Sequence, residues 1–230
     1  MRATFIALSR SERLRAMAVG FGPARSMARR FVAGEHLEEA IAAVNALNQQ
    51  SLLATLDHLG ENVTSETEAR DATTEVLDLL AAIEAADVSS GVSVKLTQLG
   101  LDLSPALAAE NVERIVARAA QAGRFVRIDM ESSETTQPTL DLFEGLWSRY
   151  KNTGIVIQSY LYRSASDVAR MVDLGARVRL VKGAYDEPPE VAYPDKADTD
   201  ASYIQLMEQL FSEKARANRV CPAIATHDTK

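Results

Sequence analysis

Beyond residue 35 the chain alternates between two hydrophobic periodicities. Short apolar, β-branched runs occur at 52–56, 92–96, 125–130, 154–158, 178–181 and 223–226. They are too short for stable helices, and polar, Gly or Pro residues bound most of them, which predicts buried strands. Between them lie segments of helical period. Within 64–86, Ala69, Ala72, Val76, Leu79, Leu80 and Ile83 recur every three or four residues, and Ser65 with Glu68 forms a capping-box signature. Ser104-Pro105 predicts a second helix, with an N-cap serine and proline at the first helical position. Ser164 with Asp167 opens a third, carrying Val168, Met171 and Val172, and Gly175 is placed to end it. Ile204, Met207, Leu210 and Phe211 give the last predicted helix its apolar face.

Strand–helix repeats place strands in parallel, because each helix serves as a crossover. Two architectures satisfy the pattern: a doubly wound open sheet and a (β/α)₈ barrel. An open sheet that binds a dinucleotide carries a glycine-rich first turn. The nearest candidate, Gly20-Phe21-Gly22, follows no predicted strand and lacks the third glycine. A barrel instead requires polar residues at the carboxyl ends of several strands, where its active sites lie. Six strand ends meet that requirement: Asp57-His58-Leu59-Gly60-Glu61, Lys95, Asp129-Met130-Glu131, Gln158, Lys182-Gly183-Ala184-Tyr185 and Thr226-His227-Asp228. The fold expected is therefore an α/β (β/α)₈, TIM-like barrel with N-terminal helices. A closed barrel needs eight strands and six are counted, so the chain is expected to be truncated after the sixth. The organisation expected is a basic helical arm over 1–34 and a barrel over 35–230.

Composition narrows the chemistry. The 230 residues carry 25 Lys and Arg against 32 Asp and Glu, a net charge of −7. That balance argues against a general polyanion binder, so no nucleic-acid partner is expected. The one cysteine, Cys221, excludes an intrachain disulfide framework and a multi-cysteine zinc site. No run reaches the ~18 apolar residues of a membrane-spanning helix. The arm is different in character. Arg2, Arg10, Arg13, Arg15, Arg25, Arg29 and Arg30 face a single acid, Glu12. A basic amphipathic surface helix is the reading preferred there over an organelle transit peptide.

At the rim, Lys95 lies inside an apolar strand, so it needs a counter-charge, and Asp129 on the adjacent strand is the simplest one. Arg179, Lys182 and the Gly183-Ala184 turn suit an anion such as a phosphate. Gln158 suits an imide or carbonyl edge. His227 could be a base, a metal ligand or a phosphate contact. The sequence contains no Gly-x-Ser-x-Gly elbow, phosphate-binding P-loop or His-Glu-x-x-His helix. Two reaction classes fit these residues: carbanion chemistry on a Schiff-base lysine, Lys95 or Lys182, and redox chemistry on a bound flavin.

The strings 94–100 (VKLTQLG), 127–131 (RIDME), 158–160 (QSY), 179–185 (RLVKGAY) and 225–228 (ATHD) resemble the signatures of proline dehydrogenases of the single-function bacterial type. The same barrel occurs in the corresponding domain of proline utilisation A. The likeness begins near Arg29 and runs in order to the last residue. It implies a distorted barrel holding FAD, which oxidises L-proline to Δ1-pyrroline-5-carboxylate and passes the electrons to a quinone. It also implies Lys95 at the substrate carboxylate, Asp129 in the proline pocket and Arg179 at the reacting flavin edge. Met130, Gln158, Lys182, Gly183, Ala184, Thr226 and His227 fall at positions around the flavin and its pyrophosphate. A cytoplasmic enzyme docked peripherally on the bacterial inner membrane is expected, with the mitochondrial matrix as the alternative. Family members continue into closing strands and a helix whose arginine pair clamps the substrate carboxylate. No residue here follows Lys230.

Overall fold

The structure, a computed structural model, describes residues 32–34, 36–60, 63–226 and 228. Nearly all of the basic arm and Gly20-Phe21-Gly22 lie outside them. The chain divides into two compact units, one of residues 1–54 with 86–89 and one of 55–85 with 90–230. In the first, α1 (Leu37–Asn48) ends beside the 86–89 segment. There the Asn48 amide accepts from Ser89 N at 2.7 Å and donates to Ser89 O at 3.2 Å.

The second unit is a strand–helix repeat in which β1 (Ala54–Asp57), β2 (Ser90–Val94), β3 (Val126–Ile128), β4 (Thr153–Gln158), β5 (Arg177–Val181) and β6 (Cys221–Ile224) form one sheet. The helices α2 (Glu66–Ala85), α3 (Pro105–Gln121), α4 (Ser133–Trp147), α5 (Ser164–Leu174), α6 (Lys196–Leu210) and α7 (Glu213–Ala217) separate the strands. Strand order is the order of the sequence, and the pairings from β2 to β6 are parallel. A doubly wound sheet reverses direction at a switch point. This sheet does not, so it is a curled (β/α) half-barrel with the six strands expected.

Alternation along each strand sorts the two faces of the sheet. Val92, Val94, Val126, Ile128, Ile155, Ile157, Val178 and Leu180 are no more than 2% exposed. They form the apolar face that packs against the helices, each worth roughly 1.5–3 kcal/mol on burial. The intervening positions, Ser93, Lys95, Arg127, Asp129, Gln158, Arg177 and Arg179, form the opposite face, which is polar. On the helices, buried Asn111 donates to Leu99 O at 3.0 Å and buried Trp147 Nε1 to Leu174 O at 3.0 Å.

Local signals mostly act where the sequence places them. Ser104 caps α3, accepting from Leu107 N at 3.4 Å, with Pro105 in the first helical position. At α2, Ser65 accepts from Glu68 N at 3.2 Å, but the Glu68 carboxylate reaches back one residue further, to Thr64 N at 2.6 Å. Helix α5 opens at Ser164 as expected, although the Ser164 hydroxyl donates to Gln158 O at 2.5 Å and Asp167 is held by Arg163 at 2.7 Å. One expectation needs correcting. The buried face of α6 is Tyr203, Leu206 and Leu210, whereas Ile204 and Phe211 are 53% and 49% exposed. The two faces have the same spacing and differ by one residue. The Tyr203 ring wins the interior because its hydroxyl reaches Leu180 O at 3.3 Å.

Gly175 ends α5 in the left-handed conformation, with φ 65°. A Cβ there would collide with the backbone carbonyl of Asn218. Gly175→Ala is therefore expected to cost at least about 1–2 kcal/mol from backbone strain alone. In a chain of this size each kcal/mol lowers Tm by about 2–4 °C. Thermal unfolding followed by circular dichroism checks this, and an unchanged Tm contradicts it.

Candidate active site

The polar face of the sheet carries a layer of alternating charge near the carboxyl ends of the strands. Asp57 is the last residue of β1, while Lys95 and Asp129 directly follow β2 and β3. Val94 pairs with Ile128, and Asp129 N donates to Val94 O at 2.9 Å, so Lys95 and Asp129 stand side by side. Val156 and Arg179 are paired across β4 and β5. Around this layer the signs run minus, plus, minus, plus. Lys95 Nζ is 2.5 Å from Asp57 Oδ2 and 3.9 Å from Asp129 Oδ2, and Asp129 Oδ1 is 3.8 Å from Arg179 Nη1. Asp129 does neighbour Lys95, but the nearer counter-charge is Asp57. The reason is register: β1 brings a carboxylate to hydrogen-bonding distance, whereas Asp129 is shared between Lys95 and Arg179.

These surroundings set the protonation states. Burial opposes charge on Lys95, yet the Asp57 hydrogen bond and the charges of Asp57, Asp129 and Glu131 outweigh it and raise its pKa. A Schiff-base lysine must shed its proton to act as a nucleophile. Lys95 is held the other way, as an ammonium, and so is Lys182, whose pKa is raised by hydrogen bonds to Asp200 and Asp228. Asp129 is pushed above the ordinary carboxylate value by burial, which Ser93, Lys95 and Arg179 only partly offset. One layer deeper, burial followed by the repulsion of Arg179 lowers Arg127 to about 10.

Above this layer opens a cavity of about 610 Å³, within the usual range for small-molecule and cofactor sites. Lys95, Asp129 and Arg179 line it together with Met130 and Gln158, and so do Lys182, Gly183, Ala184 and Thr226. Nine of the ten residues singled out in the sequence thus share one cavity. The tenth, His227, lies outside the described residues. A second cavity of about 290 Å³ adjoins the first, and Lys95 and Tyr185 line both.

Two features fix the chemistry of the cavity wall. Gln158 Nε2 donates to Met130 O at 2.9 Å and to Glu131 O at 2.8 Å, which only an NH₂ group can do. Its carbonyl Oε1 is buried with no partner among the described residues, an acceptor awaiting a donor. Gly183 has φ 118°, and a Cβ there would strike the Tyr160 ring, so the wall can follow this path only at glycine.

Lys182 departs from the role of a free cation. Its ammonium pairs with Asp200 on α6 and with Asp228, and Lys196 joins the same two carboxylates. These contacts hold Asp228 to about 2, first through the hydrogen bond from Lys182. Lys182 therefore fastens the segment after β6 to α6 while its stem borders the cavity. His58 turns toward Gln98 and Glu75, at 3.3 and 3.5 Å.

Several functional side chains carried only a weak sequence signal. Asp57 stood among polar strand-end residues without a role, because its partner depends on how β1 sits beside β2. Glu131 is 7% exposed and accepts from Thr97 N at 3.1 Å and Thr97 Oγ1 at 2.5 Å, joining two strand-end strings that read as separate motifs. Glu187 lies beyond any motif. It binds Ser133 N at the start of α4 at 2.7 Å, pinning the loop that carries Tyr185.

The proline dehydrogenase family model matches residues 40–230. Proline dehydrogenase 1 of Bacillus subtilis (strain 168) is 41% identical over 229 residues, covering 99% of this chain and 74% of that protein. The proline dehydrogenase of Deinococcus radiodurans is 40% identical over 210 residues, covering 89% and 66%. Among solved structures, proline utilisation A from Bdellovibrio bacteriovorus superposes with a TM-score of 0.81 at 28% identity, over 89% of this chain and 26% of the larger one. A family match that spans all six strands and every described residue of the charged layer leaves one assignment: the chain belongs to the proline dehydrogenase family.

Proposed function

We propose that this chain oxidises L-proline to Δ1-pyrroline-5-carboxylate with FAD as its cofactor and a quinone as the electron acceptor. The observation that carries the reading is that Lys95, Asp129 and Arg179 line one cavity together, with Asp57 hydrogen-bonded to Lys95. The proposed setting is cytoplasmic, with peripheral docking on the membrane that holds the quinone. Among the described residues, no helix is long and apolar enough to cross a membrane.

The residues present fit a flavin. Gln158 Oε1, buried and without a partner among the described residues, suits the N–H edge of an imide-bearing ring. The cavity volume of about 610 Å³ is within the range of cofactor sites, and the Gly183-Ala184 turn lets backbone approach a diphosphate closely. Met130, Gln158, Gly183, Ala184 and Thr226 would hold the cofactor, with Lys182 bordering it and His227 following in sequence. When bound, FAD supplies the two-electron acceptor that the protein's own side chains lack.

The protein supplies position and charge. Lys95, held as an ammonium, receives the substrate carboxylate and fixes which end of the amino acid enters first. Charge-assisted pairing of this kind is short and directional. The substrate nitrogen must be uncharged when the adjacent ring C–H breaks. Asp129 stands beside Lys95 with its proton affinity raised by burial, so its carboxylate is the group placed to hold a proton from that nitrogen. Arg179 keeps a positive charge at the far end of the layer, where it offsets negative charge arriving in the cavity.

Colour is the direct test. The purified protein is expected to show bound-flavin absorbance that bleaches on anaerobic addition of L-proline; a colourless protein, or one whose colour proline leaves unchanged, overturns the reading. Lys95→Met is expected to raise KM for proline and to lower kcat/KM at least about tenfold, or about 1.4 kcal/mol. Unchanged kinetics of proline oxidation would assign the carboxylate to another group.

Asp129→Asn separates stability from activity. The folded-state pKa of Asp129 is raised, so ionising it above the unfolded value of about 3.9 costs stability. The variant is expected to be more stable than the parent at pH 7 and less active. The stability difference should vanish as pH falls below about 4, where the carboxyl is protonated in both states. Denaturant unfolding at pH 7 and pH 4 measures it.

A further inference from the structure

We propose that Asp57 is a positioning residue for proline oxidation: from the end of β1 its carboxylate tethers the Lys95 ammonium at the floor of the main cavity. The proposal rests on the reading of Lys95 as the contact to the substrate carboxylate, and it concerns what keeps that contact in place.

Three observations carry it. The Asp57–Lys95 separation of 2.5 Å is a direct hydrogen bond, whereas the 3.9 Å to Asp129 is not. Lys95 lines both cavities, and its four-carbon stem could deliver the charge to either one. A tether on one side removes that freedom before substrate arrives, which is how orientation is prepared in advance. Finally, Asp57 lines neither cavity, and its Oδ1 is buried with no partner among the described residues. Asp57 therefore acts on the substrate only through Lys95.

The same contact governs the charge of Lys95. The groups facing its ammonium are Asp57 from β1 and Asp129 and Glu131 from β3, with Arg179 of β5 behind Asp129 and Asp102 and Tyr185 across the small cavity. Neutralising Asp57 removes the nearest opposite charge and leaves the burial of Lys95 unchanged. Lys95 then loses its proton at lower pH, and the alkaline limb of kcat/KM moves toward neutrality.

The experiment compares Asp57→Asn, Asp57→Glu and Lys95→Met in the purified holoenzyme, with two readouts. Competitive acetylation by acetic anhydride across pH, read by peptide mass spectrometry, reports the Lys95 midpoint without reference to turnover. Steady-state kinetics with proline report KM and kcat separately. Asp57→Asn is expected to lower the Lys95 midpoint by about one pH unit or more. It should raise KM about tenfold while kcat changes by less than about threefold. Asp57→Glu keeps the charge and moves it by one methylene, so it should restore the midpoint while KM stays raised. It also serves if Asp57→Asn fails to fold. An unmoved midpoint in Asp57→Asn, with Lys95→Met still raising KM, overturns the role of Asp57 alone. A Lys95→Met protein with unaltered KM overturns the reading of Lys95 and the Asp57 proposal with it.

Discussion

Charges inside a barrel persist only where they cancel. Opposite unit charges about 4 Å apart attract by about 4 kcal/mol at an effective dielectric of 20, yet each loses several kcal/mol of hydration on burial. A lone lysine on the inner face of β2 would have no means of staying charged. Here it sits between Asp57 and Asp129, and Asp129 in turn sits between Lys95 and Arg179. Every member of the layer depends on its neighbour. A substrate carboxylate enters this arrangement as one more anion, and Lys95 can accept it because one of its three protons is already committed to Asp57 and the others are not.

Barrel interiors are ordinarily filled with branched apolar side chains packed in layers. Here the inner face divides by depth. The deeper layer holds Arg127 and Arg177, with the Phe125 ring 4.7 Å from one guanidinium and 5.4 Å from the other. Gly154 makes room for it, since a Cβ there would press on the Phe125 ring and Arg127 Nη1. Below the charged layer the Phe125 ring thus stands between two guanidinium groups in cation–π contact. Most of the apolar packing lies on the outer face, against the helices, while Val156 and Val181 are apolar residues of the cavity wall. The outer face supplies the stability that lets the inner face serve as a container.

Much of this was legible in the sequence, for identifiable reasons. Strands were found because parallel strands covered by helices read as short β-branched runs. The polar tips were found because polar residues ending such runs have few structural uses. What could not be read was any feature that depends on position across the sheet. Asp57 and Asp129 are both aspartates at the ends of strands next to β2, and only their placement in the folded sheet makes Asp57 the nearer partner. On α6, Ile204, Met207 and Phe211 have the spacing of Tyr203, Leu206 and Leu210 and look more apolar. The buried set is decided by where the Tyr203 hydroxyl finds a carbonyl. Lys182 reads as a cation for an anion, but Asp200 and Asp228 come from an element and a segment that its own motif does not include.

The fate of Lys182 bears on how a flavin diphosphate would be held. A lysine already shared by two carboxylates offers little net positive charge, and Lys196 joins the same pair, so the cluster of two cations and two anions is neutral. On the proposed reading, attraction for a diphosphate at this rim would then fall mainly to backbone N–H groups at the Gly183-Ala184 turn. The turn works for that purpose because φ at Gly183 is positive and its Cα carries no side chain. Lys182 contributes differently. By tying Asp228 to α6 it fixes the end of β6, and with it Thr226, whose hydroxyl accepts from Asp228 N at 3.1 Å. The lysine that the sequence places beside the flavin thus also serves to hold the segment after β6 against α6.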